Sequence, residues 1–406
     1  MAGERVVAIE DGRIITPFRV IEDGVVLVED GKISDVRSKE KVKIPRNADI
    51  IDASGKIVVP GFIDIHTNGG GGRSLIEGTY EAIDEASKFF AKHGTTGFLS
   101  TLFGSKEEVL KATVAAKIAM EKGTVGAKVL GIQLEGPSFN PKKLGVFLPE
   151  WFRPPDIDEF EQIMLESGNA VKIITIAPEL EGAIDFIKYI TKRGVVASVG
   201  HSYATYAQVL EGIEAGISHA CHTYNAMREF HHREPGVVGA VLSCDELTAE
   251  LVADGLHAHP VAMRILVRNK GVDKVILVTD SVEVAGLPEG EYEWRGRKVI
   301  VKGGKCVLPR PPVTSGLAGT PQEEQVTFAG SILTMNIAVK TMVELAGASL
   351  KEAIRMATIN PAERIGLGGK KGSLEVGKDA DVSILDEKFN VCMTLVSGRT
   401  VYKIQK

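Results

Sequence analysis

Four of the nine histidines fall between residues 217 and 236, in ISHACHTYNAMREFHHREPG, and Arg233 stands among them. Imidazoles this crowded serve a metal site, an anion site or a chance surface group. Carboxylates and imidazoles elsewhere repeat one position. His66, Glu135, His201, His222, His257 and Asp280 each close an apolar run, in FIDIH, GIQLE, ASVGH, ISHACH, LVADGLH and ILVTD. Carboxylate and imidazole together suit zinc and similar divalent ions. An ion so held lowers the pKa of a water from about 15.7 toward about 7, which is the chemistry of hydrolysis. The guanidinium of Arg233 is a planar fork that matches phosphate. Taken singly, each residue has a plain reading: a hydrogen-bonded loop histidine, a solvated carboxylate in the Glu135-Gly136-Pro137 turn, a Thr279-Asp280 cap. Six at the same structural position carry the argument.

The elements that place them alternate. Apolar strand-like runs occur at 57–65, 95–101, 128–134, 171–176, 194–199, 217–221, 248–253 and 274–279, with helical patterns between most of them. Eight strands with crossover helices predict a parallel (β/α)8 TIM-type barrel in the α/β class. Near-continuous apolar strands fit, because barrel strands are buried on both faces. The structural rival is an open doubly wound sheet, but no GxGxxG follows the first strand. In a barrel, the six residues project at the C-terminal rim, where active sites form.

Both chain ends read as short antiparallel strands. Asp-Gly pairs at 11–12 and 30–31 predict hairpins. The two ends are expected to meet in a small β-sandwich domain, residues 1–57 plus 373–406, bracketing a barrel of residues 58–372. The Pro- and Gly-rich stretch 301–325 reads as a long loop, a lid or insertion over the barrel mouth.

The bulk composition sets bounds. The 406 residues are 44% hydrophobic and 25% charged, enough for one large domain or two smaller ones. A net charge of −5 advertises no nucleic-acid surface. The four cysteines, Cys221, Cys244, Cys306 and Cys392, show no CxxC spacing and read as reduced thiols. Cys221 adjoins His222, but on a strand its side chain is expected to point the opposite way. The charged N-terminus lacks a signal-peptide core, and no apolar run approaches the roughly 20 residues of a membrane span. The expectation is a cytoplasmic protein with no membrane partner.

With these residues placed, the chain resembles the amidohydrolase superfamily, and within it the N-acetylglucosamine-6-phosphate deacetylase branch. The resemblance runs nearly the whole length: PGFIDIHTNG at 60–69, LEGP at 134–137, GHS at 200–202, HTYNAM at 222–227, REPG at 233–236, ADGLH at 253–257, VTDS at 278–281, AGLPEGEY at 285–292 and GSILTM at 330–335. It implies that Glu135, His201 and His222 bind a catalytic divalent metal, zinc first, with iron, cobalt or manganese also suited. It implies that Asp280 is general base and then general acid. It implies that Asn225, Arg233 and His257 hold a phosphorylated amino sugar, with the backbone at Ala226 adding to the pocket. Phosphate contacts from a neighbouring subunit imply a homodimer. The implied reaction is removal of the N-acetyl group from N-acetylglucosamine-6-phosphate. A deacetylase for another N-acyl substrate, such as N-acetylgalactosamine-6-phosphate, is the alternative within the class, and a silent barrel used as a scaffold is the rival outside it.

Three features of the chain refine the resemblance. The superfamily often carries HxH on its first strand, and here the segment is His66-Thr67-Asn68. A neutral amide is a poor zinc ligand, so one metal per chain is expected, with His66 at a weak second site. No lysine ends the fourth strand, in TIAPEL, which argues against the carbamylated-lysine branch. Phe147 stands in KKLGVF where the family has a histidine near the substrate carbonyl. Phenylalanine cannot donate a hydrogen bond, so carbonyl polarisation rests on the metal or on another donor, or the substrate differs.

Overall fold

The structure is a computed structural model that describes residues 6–309 and 327–405. Eight parallel strands lie side by side in chain order: Phe62–Thr67, Thr95–Leu102, Lys128–Glu135, Val171–Ile176, Val196–Val199, Ile217–Ala220, Thr248–Val252 and Val275–Val278. They are called the first to eighth strands below. Their side chains are buried almost throughout, as expected for a sheet covered by helices outside and filled by side chains inside.

Side chain and backbone close the barrel between the eighth and first strands. Asp280 N–H donates to the carbonyl of His66 at 2.8 Å, and Asn68 N–H to that of Ser281 at 2.8 Å. Below them the buried carboxylate of Asp64 does the joining. Its Oδ1 accepts from the amides of His66 (3.2 Å) and Thr279 (3.3 Å), and its Oδ2 from the Thr279 hydroxyl (2.5 Å). Burial pushes this carboxyl up to about 7 against those hydrogen bonds. The seam therefore fixes Asp280 relative to His66.

The apolar run 57–65 is two strands, not one. Ile57–Pro60 belongs to a second sheet, and the chain enters the barrel after Gly61. The side chain of Thr96 explains the break: a Cβ at Gly61 would lie 2.1 Å from Thr96 Cγ2, so only glycine lets the chain pass there. The second sheet unites both chain ends. Ile57–Pro60 pairs antiparallel with Val382–Leu385, matching Val58 to Ile384, and parallel with Val6–Ile15. Its core, around Ile9, Val26, Ile33, Val382 and Leu395, is separate from that of the barrel.

Only one of the two Asp-Gly pairs makes a hairpin. Asp30 and Gly31, both at positive φ, turn Val20–Glu29 into Lys32–Ser38. Asp11 and Gly12 lie inside Val6–Ile15 at a register shift, so they form a bulge. The stretch after residue 301 is likewise not all loop. Arg297–Lys302 and Lys305–Val307 are a hairpin turned by Gly303 and Gly304, both at positive φ, and they continue a sheet begun by Gly290–Trp294. Alternation in RKVIVKGGKCV was the signal. The rest of the Pro-rich stretch, residues 310–326, lies outside the described residues. The three-stranded sheet packs Trp294, Val299, Val301 and Cys306 against Phe103 and Trp151 beside the barrel mouth.

Candidate active site

The site is built at the C-terminal ends of the strands. Glu135 ends the third strand, His66 lies at the end of the first, and His201, His222 and Asp280 each follow their strands by two residues. Their backbones are shaped for this. His201 (φ 46°), Ala226 (φ 49°) and Asp280 (φ 49°) adopt left-handed conformations that non-glycine residues rarely hold without support. Gly200, after the fifth strand, permits the close approach of the fourth and sixth, since a Cβ there would lie 2.6 Å from Thr175 and 2.7 Å from Cys221.

Three ligand-type atoms converge. Glu135 Oε1 lies 3.2 Å from His222 Nε2 and 3.4 Å from His201 Nε2. The two Nε2 atoms are 3.0 Å apart. Ligand atoms about 2.1 Å from a tetrahedral ion lie about 3.4 Å from one another, so the triangle has the size of a metal-ligand set. The His201 tautomer agrees. His201 Nδ1–H donates to the carbonyl of Lys143 at 2.8 Å, which leaves a lone pair on Nε2 facing His222 Nε2. Two ring nitrogens this close, beside a carboxylate, call for a positive charge between them.

His66 is a fourth member. Its Nδ1–H donates to Glu250 Oε2 at 2.8 Å. Its Nε2 is buried without a hydrogen-bond partner, 3.4 Å from Glu135 Oε1 and 3.5 Å from Asp280 Oδ1. An orphaned buried nitrogen costs about 1–3 kcal/mol, so it too marks a place for a cation. The charges state the same demand. Burial alone would lower the His66 and His222 pKa values, yet the neighbouring acidic groups hold both well above the usual imidazole range. Glu135 is held well below the carboxylate range despite its burial. His201, dominated by burial, is lowered.

Asp280 borders this cluster. Asn68 Nδ2 donates to its Oδ1 at 2.8 Å, a contact that spacing alone did not reveal. Burial pushes the Asp280 carboxyl up, and only an adjacent positive charge brings it down. Cys221 departs from expectation. The sixth strand ends at Ala220, so strand alternation no longer governs it, and its Sγ lies 3.5 Å from His66 Nδ1 and within 4.8 Å of ligand atoms of Glu135 and His222.

A cleft of about 200 Å³ opens beside these groups. Asn225, Ala226 and His257 are among its lining residues. His257 Nδ1–H donates to Asp254 Oδ2 at 2.6 Å, which fixes its tautomer. Phe103, Val146, Phe147, Trp294 and Phe328 line it too, and the Phe328 ring lies 4.4 Å from that of His257. The ring of Phe147 lies 5.0 Å from that of His201. Arg233 is not brought in. It is exposed, bonded to His232 Nε2 at 2.8 Å, and absent from the described lining of the cleft. No lysine or arginine lines the cleft among the described residues.

Sequence reading missed Glu250 and His219. Both are fully buried, and Glu250 accepts from His66 Nδ1, from His219 Nε2 (3.0 Å) and from His222 N–H (3.0 Å). The signal was a charged residue inside an apolar strand, TAELV, and a histidine inside ISHA.

A parallel barrel with imidazoles and carboxylates converging at its C-terminal rim defines a hydrolase barrel of the metal-dependent kind. The amidohydrolase family model matches residues 57–401, and the chain belongs to this family. It is 37% identical over 398 residues to the N-acetylglucosamine-6-phosphate deacetylase of Bacillus subtilis (strain 168), covering 97% of this chain and 96% of the relative. It is 33% identical to the N-acetylgalactosamine-6-phosphate deacetylase of Escherichia coli O157:H7, covering 95% and 97%. The crystal structure of N-acetylglucosamine-6-phosphate deacetylase from Pasteurella multocida superimposes with a TM-score of 0.87 at 31% identity, covering 97% of this chain and 99% of that one. Among the described residues, no helix is long and apolar enough to cross a membrane.

Proposed function

We propose that the chain hydrolyses the N-acetyl group of N-acetylglucosamine-6-phosphate, giving glucosamine-6-phosphate and acetate. The observation that carries this reading is the triangle of Glu135 Oε1, His201 Nε2 and His222 Nε2, with Asp280 beside it. The names and near-complete coverage of the relatives supply the substrate.

Glu135, His201 and His222 would hold one divalent ion, zinc by the borderline character of the donors. When bound, that ion makes a water more acidic and draws electron density from the substrate carbonyl. The rest falls to the chain's own side chains. Asn68 occupies Asp280 Oδ1, which leaves Oδ2 to take the proton of the attacking water. Oxygen bonds to the acetyl carbon, the C–N bond breaks, and Asp280 returns the proton to the departing nitrogen. Asn225, the backbone at Ala226 and His257 would orient the sugar. His257 is suited because Asp254 holds its Nδ1–H and leaves Nε2 for the ligand. With no cationic side chain in the described lining, the phosphate would draw on Arg233 of the partner subunit in a homodimer.

The E. coli O157:H7 relative favours a second reading, the galactosamine epimer. The test is acetate release, with divalent metal added, from both phosphorylated epimers and from unphosphorylated N-acetylglucosamine. Preference for phosphorylated glucosamine supports the proposal, preference for the other epimer supports the second reading, and release from none of them refutes both.

A further inference from the structure

The cleft carries both polar and aromatic lining, and this orients an amide within it. Its carbonyl must reach Glu135, His201 and His222. The hydroxyls and phosphate of a sugar belong with Asn225 and His257. The cluster of Phe103, Phe147 and Trp294, with the latter two ring centroids 4.9 Å and 6.3 Å from that of Phe103, offers an apolar wall for the group on the carbonyl carbon.

Behind that wall lies a second cavity of about 20 Å³. Phe103, Glu135 and Phe147 line both spaces, and Phe139, Trp151 and Phe152 line only the rear one. Apart from Glu135, which faces the histidine cluster, its charged neighbours are already paired: Arg153 Nε pairs with Glu159 Oε2 at 2.8 Å, and Arg153 Nη1 donates to the carbonyls of Gly104 (3.1 Å) and Trp151 (3.0 Å). The void is therefore apolar. A cavity needs about 10–15 Å³ to hold one water, and a methylene is of similar size, so the void has room for about one carbon. Phe147 divides it from the cleft. Its ring touches Phe103 (4.9 Å), Phe139 (5.6 Å) and His201 (5.0 Å), and its backbone sits in a short loop behind Gly145, at φ 62°. A half-buried aromatic on such a loop can yield inward, where a β-strand residue could not.

We infer that Phe147 and the void behind it form an acyl subsite, so that the chain removes N-acyl groups one carbon longer than acetyl as well as acetyl itself. The inference rests on the amide-hydrolase reading and adds a substrate class to it. Its step is the same hydrolysis: water adds to the acyl carbon, the C–N bond breaks, and propionate leaves in place of acetate.

The test is kcat/KM for the N-acetyl, N-propionyl and N-butyryl forms of glucosamine-6-phosphate, on the metal-loaded wild type and on Phe147→Ala. One methylene in an apolar pocket is worth about 10–200-fold in discrimination. The expected result is N-propionyl within about threefold of N-acetyl in the wild type, and a rise of about tenfold in the butyryl-to-acetyl ratio in Phe147→Ala. Wild type that hydrolyses the acetyl form but rejects propionyl by about 30-fold or more overturns the subsite and leaves the deacetylase reading intact. Activity on none of the three overturns both.

Discussion

Glu250 Oε2 lies 2.8 Å from His66 Nδ1, and neither side chain reaches solvent. The same oxygen accepts the main-chain N–H of His222, and the other oxygen accepts from His219 Nε2, whose Nδ1 meets the Thr248 hydroxyl at 2.6 Å. One buried carboxylate thus sets the ring of His66 and the backbone of His222 at once. Burial opposes its charge, yet the imidazoles of His66 and His219 hold its pKa well below the usual carboxylate range. Glu250→Gln would place an amide N–H against one of these donors. Through the main chain of His222, Glu250 positions a proposed ligand, and partners that orient ligands are worth about 10–100-fold in metal affinity. The expected outcome is a loss of that size in a chelator-competition titration, with an unchanged far-UV circular dichroism spectrum. Unaltered affinity would reduce Glu250 to a packing residue.

In the proposed reaction Asp280 moves the proton. Asp280→Asn keeps the size of the side chain, with the Asn68 contact dependent on its amide orientation, but cannot accept a proton from water. General-base loss is expected to lower kcat by about 10²–10⁴-fold, while elemental analysis finds the metal still bound. Near-normal turnover would assign the proton to another group.

In the proposed site Asn68 limits the metal count. His66 Nε2, Glu135 Oε1 and Asp280 Oδ1 are close enough to hold a second ion, but Asn68 already occupies Asp280 Oδ1, and its amide is a poor ligand. One tightly held ion per chain is expected after dialysis, and two in Asn68→His. Two in the wild type would show that His66 and its carboxylate neighbours suffice without a histidine at 68.

The parts legible in sequence were those with a strong period or a repeated position. Apolar runs broken by helical patterns gave the barrel, and polar residues closing those runs gave Glu135, His201, His222 and Asp280. Less legible was whatever depended on three-dimensional approach. Gly61 splits one apolar run because Thr96 crowds it, and Asp11-Gly12 bulges because its neighbours continue to pair on both sides. Glu250 and His219 looked like strand residues because a barrel interior hides its polar contacts inside apolar runs. Cys221 was misdirected by assuming that the strand ran on past Ala220. Arg233 was read as a phosphate ligand from the resemblance together with its chemistry, and in a single chain it is exposed.

That exposed position makes the last prediction separable from the others. If Arg233 serves the cleft of a partner, Arg233→Ala should raise KM for the phosphorylated sugar by about 10–100-fold, since a charge-assisted fork to phosphate is lost, and change kcat little. Unphosphorylated substrate should show no change. An Arg233→Ala chain keeps its own Asp280, and an Asp280→Asn chain keeps its own Arg233. A mixed dimer then contains one cleft with both groups intact and one with neither. Random exchange makes half of the dimers mixed, so at substrate concentrations well below the raised KM a mixture should recover about a quarter of wild-type activity. Neither parent dimer should approach that level. Recovery identifies Arg233 as acting across the dimer. A mixture no more active than its parents, with subunit exchange verified by mass-tagged chains, would remove Arg233 from the partner's cleft and leave phosphate recognition to groups within the same chain.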